Sequence, residues 1–210
     1  VTYHGIEKRF KQLKDQSVLK QIRAKYQITS PDVILYIGSI HTRRNIEQLI
    51  RAFYMLCRKM SDIQLLLVGK REYPYLDVQA LIEELGLHNR VIVPGYIQDS
   101  DLPLLYNVAD VFIYPSSYEG FGLPLLEAMA CGTPVITSDN SSLPEVTGDA
   151  AIFIDPLNIA EMADAMYQVL SDESLHRDMV TKGIAQASKF SWEQTAKKTL
   201  AVYRELEQLL

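Results

Sequence analysis

Four short apolar runs stop at a glycine or a proline, and segments of helical period separate them. Residues 33–37 read V-I-L-Y-I and stop at Gly38; residues 63–68 read I-Q-L-L-L-V and stop at Gly69. The run 91–93 is ended by Pro94-Gly95 and the run 111–114 by Pro115. Strands that are apolar on both faces suit a parallel sheet covered by helices. Two more runs, 135–137 and 151–154, bring the expected strands to six. Helices are expected over 45–59, 75–85, 100–109, 123–130, 159–170, 172–188 and 191–210. In the first, Ile46, Leu49, Ile50, Phe53 and Leu56 fall on one side. This alternation fits right-handed βαβ units. It predicts an α/β fold, a Rossmann-like doubly wound parallel sheet of about six strands with helices on both faces. Residues 1–31 read as a hinge or linker segment with a basic helix, 32–190 as the sheet domain and 191–210 as a closing helix.

The 210 residues suffice for one large domain, and 48% apolar with 22% charged residues is an ordinary globular balance. A net charge of −5 argues against nucleic-acid binding by bulk electrostatics. Cys57 and Cys131 sit in apolar helical patterns and read as reduced, buried thiols. No apolar run approaches the roughly 20 residues of a membrane helix. The chain opens V-T-Y-H-G-I, like the tail of a strand and a turn, and we expect a piece of a longer protein. Lys8, Arg9, Lys11, Lys14, Lys20, Arg23 and Lys25 outnumber Glu7 and Asp15 before residue 31. A solvated connecting helix explains that excess; peripheral contact with an anionic membrane is the alternative.

Ligands of doubly wound sheets bind beyond the carboxyl ends of the strands. There the first strand brings Ser39, Arg43 and Arg44, the second Lys70 and Arg71, and the third Tyr96 and Ile97. Arginine offers a forked donor suited to phosphate, and lysine a compact charge. The fourth strand leads into Y-E-G-F-G-L-P-L-L-E-A-M-A-C. Gly120 and Gly122 permit a tight turn, and a helix starting near Leu123 or Pro124 would present N–H groups to an anion. Glu127, about one turn in, suits the two vicinal hydroxyls of a ribose; Glu119, before the turn, suits a second sugar. The alternative is structural, with Glu119 capping the helix and Glu127 in a surface ion pair.

The stretch Y-E-G-F-G-L-P-L-L-E-A-M-A-C-G-T-P-V-I-T-S-D-N-S-S-L-P-E strongly resembles the signature of the C-terminal domain of retaining GT-B glycosyltransferases of family 4. I-L-Y-I-G-S-I-H-T-R-R-N resembles the first donor-domain strand and basic turn of that family, and F-S-W-E-Q-T-A-K-K-T-L-A-V-Y-R-E its closing helix. The resemblance implies the donor-binding half of an enzyme moving a hexose from a nucleotide-diphosphate sugar to an acceptor hydroxyl. It implies catalytic roles for Arg44, against the leaving diphosphate, and Glu119, beside the donor sugar. Glu127 would hold the ribose, Tyr96 and Ile97 would flank the base, and Phe121, Gly122 and Leu123 would meet sugar and phosphate through the backbone. Gly38, Ser39, Arg43, Gly69 and Lys70 complete the expected donor site. Ser39 replaces a common arginine and Arg44 a usual lysine; a subgroup with a small hydroxyl residue at the Ser39 position often uses GDP-mannose. No cofactor or metal is expected. A sugar or glycolipid acceptor would be bound by an N-terminal half lying outside these residues, in the cytoplasm or at the inner membrane face. The isolated piece should bind donor weakly and transfer little. The alternatives are an epimerase or hydrolase of the same fold, or a non-catalytic sugar-nucleotide module.

Other motifs have plainer readings. Asp99-Ser100-Asp101 matches a metal-binding D-x-D but precedes a helix, where capping explains it. Ser142-Leu143-Pro144-Glu145 fits a capping box. The glycines after the first strand do not form G-x-G-x-x-G, which argues against a nicotinamide cofactor. His41 reads equally as a loop residue or a donor contact. Trp192 and the apolar positions of the last helix read as core.

Overall fold

The computed structural model describes residues 1–70, 72 and 77–207. Arg71, and residues 75 and 76 of the helix expected from 75, lie outside that set. The six strands are β1 Asp32–Ile37, β2 Ile63–Val68, β3 Val91–Gly95, β4 Val111–Tyr114, β5 Val135–Ser138 and β6 Ala151–Ile154. They form one parallel sheet in the order β3-β2-β1-β4-β5-β6. Ile34 of β1 pairs with Leu65 on one side and Val111 on the other, so β1 and β4 meet at the sheet centre. All of β2, β4 and β5 is buried, as a sheet covered on both faces requires.

The helices are α1 Gln16–Lys25, α2 Ile46–Leu56, α3 Val78–Glu84, α4 Leu102–Val108, α5 Leu123–Ala130, α6 Leu143–Thr147, α7 Ile159–Ser171, α8 Glu173–Ala187 and α9 Trp192–Glu207. On one side α2 meets α3 and α7; on the other α1 meets α4, α4 meets α5, and α5 meets α6 and α8, with α7 and α8 in contact where the layers join. These are the two helical layers of the doubly wound fold. In α2 the expected stripe of Ile46, Leu49, Ile50, Phe53 and Leu56 is buried throughout. Each such side chain contributes roughly 1.5–3 kcal/mol of burial. Among the described residues, no helix is long and apolar enough to cross a membrane.

Several local expectations need correction. β3 runs through Pro94 to Gly95 because it is an edge strand, where a missing N–H is tolerated. Ser142 does not cap α6: its hydroxyl donates instead to the carbonyls of Glu119 and Phe121, and Glu145 accepts from the Tyr3 hydroxyl. Asp101 does not cap α4 either. It accepts from Lys25 Nζ at 2.6 Å and the Tyr26 hydroxyl at 2.5 Å, while Asp99 pairs with Arg9 at 2.8 Å. Those contacts, with buried Phe10, Ile22 and Ile28, anchor residues 1–31 on the sheet domain. The last helix is not core: α9 has no buried residue, and Trp192, Leu200, Tyr203 and Leu206 are exposed. Both cysteines are free, Cys131 buried and Cys57 half-buried.

Candidate functional site

Strand order reverses between β1 and β4, leaving a crevice at their carboxyl ends, where doubly wound sheets bind ligands. The loop after β1 is a single 3-10 turn, Thr42–Arg44, opened by His41, whose Nδ1 accepts from Arg43 N at 3.2 Å. His41 is therefore a cap of the basic turn. Asn45 follows with φ +53° and donates through Nδ2 to the Pro115 carbonyl at 2.7 Å and Ser117 Oγ at 2.8 Å. Ser117 N in turn donates to the Arg43 carbonyl at 3.0 Å. These bonds sew the β1 loop to the β4 loop.

That stitching buries Arg44 against the last residue of β4 and the residues after it. Its Nη1 donates to the Tyr114 hydroxyl and to Ser116 Oγ (3.3 Å), its guanidinium lies 5.1 Å from the Tyr114 ring centre, and it pairs with Glu119. Both side chains of this ion pair are about nine-tenths buried, at 10% and 12% exposure. Arg44 Nε is buried with no hydrogen-bond partner among the described residues. A donor left unpaired in the crevice is costly unless something else accepts from it. Arg43, by contrast, is exposed.

Glu119 also does not cap α5. The N-cap is Gly122 at φ +103° with no side-chain hydrogen bond, so the helix start is left open. A side chain at Gly122 would press on Leu143 and Leu125 at about 3 Å. Pro124 removes one N–H from the first turn, leaving the backbone donors around Gly122 and Leu123. The Phe121 ring packs on Tyr3, His4 and Phe190, with centroids 5.0–6.1 Å apart.

Glu127 is not a surface ion pair. It is half-buried and accepts from the Tyr106 hydroxyl at 2.9 Å. Burial pushes its carboxyl above the ordinary glutamate value, against the opposing pull of the Tyr106 hydrogen bond and the Arg9 charge. Arg44 and Glu127 act on the same phenol. Burial pushes Tyr114 up, Arg44 and then Arg43 pull it down, and Glu127 pushes it up again. A row of rings joins the two: Tyr106, which holds Glu127, packs on Phe112 with centroids 5.3 Å apart, Phe112 stacks on Tyr114 at 5.9 Å, and the Tyr114 hydroxyl accepts from Arg44.

The groove beside this centre has a volume of about 330 Å³ and is lined by Gly38, Ser39, Gly69, Lys70, Tyr96 and Ile97, with Asp99 among its other residues. The first six are all sequence-predicted site residues. The Lys70 ammonium lies 4.6 Å from the Tyr96 ring centre; Tyr96 is exposed and Ile97 buried. The strand ends approach so closely that a Cβ on Gly69 would sit 1.8 Å from the Gly38 carbonyl oxygen. Sequence reasoning missed four residues that hold the site: Asn45, Tyr106, Tyr114 and Ser142. Only Asn45, a residue type that tolerates φ > 0 beside a turn, left a readable signal.

The parallel sheet of order β3-β2-β1-β4-β5-β6 is the Rossmann-like fold found in GT-B glycosyltransferases. The chain belongs to the family described as glycosyl transferases group 1, whose model matches residues 19–186. It is 40% identical over 183 residues to O-antigen chain mannosyltransferase B of Escherichia coli, covering 87% of this chain and 48% of that protein. The chain thus spans about half the length of that curated relative. Among solved structures, sucrose-phosphate synthase from Thermosynechococcus elongatus matches 99% of this chain and 52% of its own, with TM-score 0.81 and 30% identity. HepE from Anabaena, solved with UDP and glucose, matches 97% of this chain and 56% of its own at TM-score 0.86; its 23% identity speaks to fold alone.

Proposed function

We propose that this chain is the donor-binding half of a retaining hexosyltransferase that takes a sugar from a nucleoside diphosphate. The observation that supports the reading is the buried Arg44–Glu119 pair at the switch point together with the uncapped start of α5, with Glu127 joined to them through the Tyr106, Phe112 and Tyr114 rings. Arg44 and the backbone donors near Leu123 bind the diphosphate, with Arg43 and Lys70 as outer cations. The unpaired Arg44 Nε is a donor a phosphate oxygen would satisfy. Glu127 accepts from the ribose hydroxyls, the base lies along Tyr96 and Ile97 in the groove, and Glu119 faces the sugar.

As the glycosidic bond breaks, positive charge spreads over the sugar ring and negative charge grows on the leaving diphosphate. Fixed donors aimed at that growing charge are commonly worth about 3–4 kcal/mol each. The leaving phosphate takes the acceptor proton, and no metal is needed. The acceptor is held by the other half of the enzyme. Relatives named as mannosyltransferases support mannose as the sugar, and GDP-mannose is the donor we propose. Calorimetric titration with GDP-, UDP- and ADP-sugars tests this: GDP-mannose should bind tightest, and no heat with any of them would remove the donor role.

A further inference from the structure

Tyr106 had no role in the sequence reading, yet its placement is unusually determined. It lies in α4, is 0% exposed, and its ring is held edge-on by Phe10 (centroids 6.0 Å) and Phe112 (5.3 Å). Its two polar ends both reach α5 or the residues just after it. The hydroxyl donates to Glu127 Oε2 at 2.9 Å, and the backbone carbonyl accepts from Thr133 Oγ1 at 2.7 Å. Among the described residues Glu127 has no other side-chain hydrogen bond. A buried phenol held by two aromatic contacts cannot swing away, so it offers Glu127 Oε2 a donor fixed in place. A carboxylate has about four acceptor sites over its two oxygens, so this single bond leaves Oε1 and part of Oε2 for a ligand.

We propose that Tyr106 is the positioning residue that aims Glu127 at a vicinal diol, and so sets the preference of the site for ribonucleotides. The inference rests on the ribose role of Glu127 proposed above. Phe10 carries it a step further: the N-terminal segment, by packing on the Tyr106 ring, helps fix the carboxylate. Packing alone would also explain a buried tyrosine, but it does not require a phenol. Phenylalanine would fill the same space and leave Glu127 without its partner.

The test compares GDP with 2′,3′-dideoxy-GDP, which lacks the diol, by calorimetry on the wild type, Tyr106→Phe and Phe10→Leu. The wild type should prefer GDP. Tyr106→Phe should lose about three- to tenfold of that preference, with dideoxy-GDP affinity held within about twofold. Phe10→Leu, which keeps the phenol, should lower the melting temperature and retain more of the preference. In a Glu127→Ala background, adding Tyr106→Phe should change neither affinity. A Tyr106→Phe protein as selective for the diol as wild type overturns the inference while leaving the ribose role intact. A wild type indifferent to the diol overturns the ribose role, and this inference with it. If Tyr106→Phe proves too unstable, NMR of the wild type decides. The Tyr106 hydroxyl proton should be slowly exchanging and persist when GDP is added; its loss on GDP binding would overturn the inference.

Discussion

Glu119 and Glu127 lie eight residues apart on either side of the start of α5, and the fold holds them in opposite ways. Glu119 is paired with Arg44, the cation proposed above to bind phosphate. Glu127 is held by Tyr106, a neutral donor no ligand would claim, and burial disfavours its charge. The first carboxylate is neutralised by a group that binding would compete for; the second is aimed and left short of partners. If the crevice binds a diphosphate as proposed, phosphate capture would be coupled to freeing Glu119 while Glu127 would need no rearrangement.

Arg44→Ala should have the largest effect. It leaves Glu119 buried without its counter-charge, which costs about 3–5 kcal/mol of stability. It should also weaken nucleoside diphosphate by about thirtyfold or more while barely touching nucleoside. Chemical denaturation and titration read the two losses separately. Glu127→Ala should come next, lowering affinity for nucleoside and nucleoside diphosphate alike by about tenfold. It should not destabilise the fold as Arg44→Ala does, because burial already opposes the Glu127 charge.

Glu119→Gln should invert that pattern. With the competing carboxylate neutral, affinity for nucleoside diphosphate should rise by about threefold, and the extra affinity for the sugar-bearing donor should fall. Equal losses for both ligands would show that Glu119 does not compete for Arg44. The smallest effect should be the pH dependence of nucleoside binding. The Glu127 carboxyl sits above its ordinary value, and only its ionised form accepts from both hydroxyls. Affinity for guanosine, which has no phosphate to titrate, should therefore fall as pH drops through a range above that of an exposed glutamate. Stability carries the opposite sign. The folded state holds this proton more tightly than the unfolded one, so its contribution declines as pH rises between the two values. In Glu127→Gln both trends should vanish.

The two glutamates also mark the limit of what the sequence disclosed. Local pattern located β2, β4, β6 and α5 to the residue, because apolar runs and their Gly or Pro stops are local events. It named the crevice residues through strand ends and a family signature. It did not reveal what holds each acid. Arg44 and Glu119 are 75 positions apart, and Tyr106 and Glu127 are 21 apart on different helices. Asp99 and Asp101 read as caps because capping is the local option; their partners, Arg9 and Lys25, are remote in sequence. The five-residue α6 is too short for a periodic signal, and apolar residues of α9 looked like core although the described fold leaves them uncovered. Burial of a helix face is decided by what packs on it, not by its pattern.

The most direct measurement is the affinity advantage of GDP over guanosine in the wild type and in Arg44→Ala, by calorimetry at one pH and salt concentration. The expected result is a clear advantage for GDP that largely disappears without Arg44, with guanosine affinity unchanged. An advantage equally large in both proteins would mean that the switch-point crevice does not grip a diphosphate.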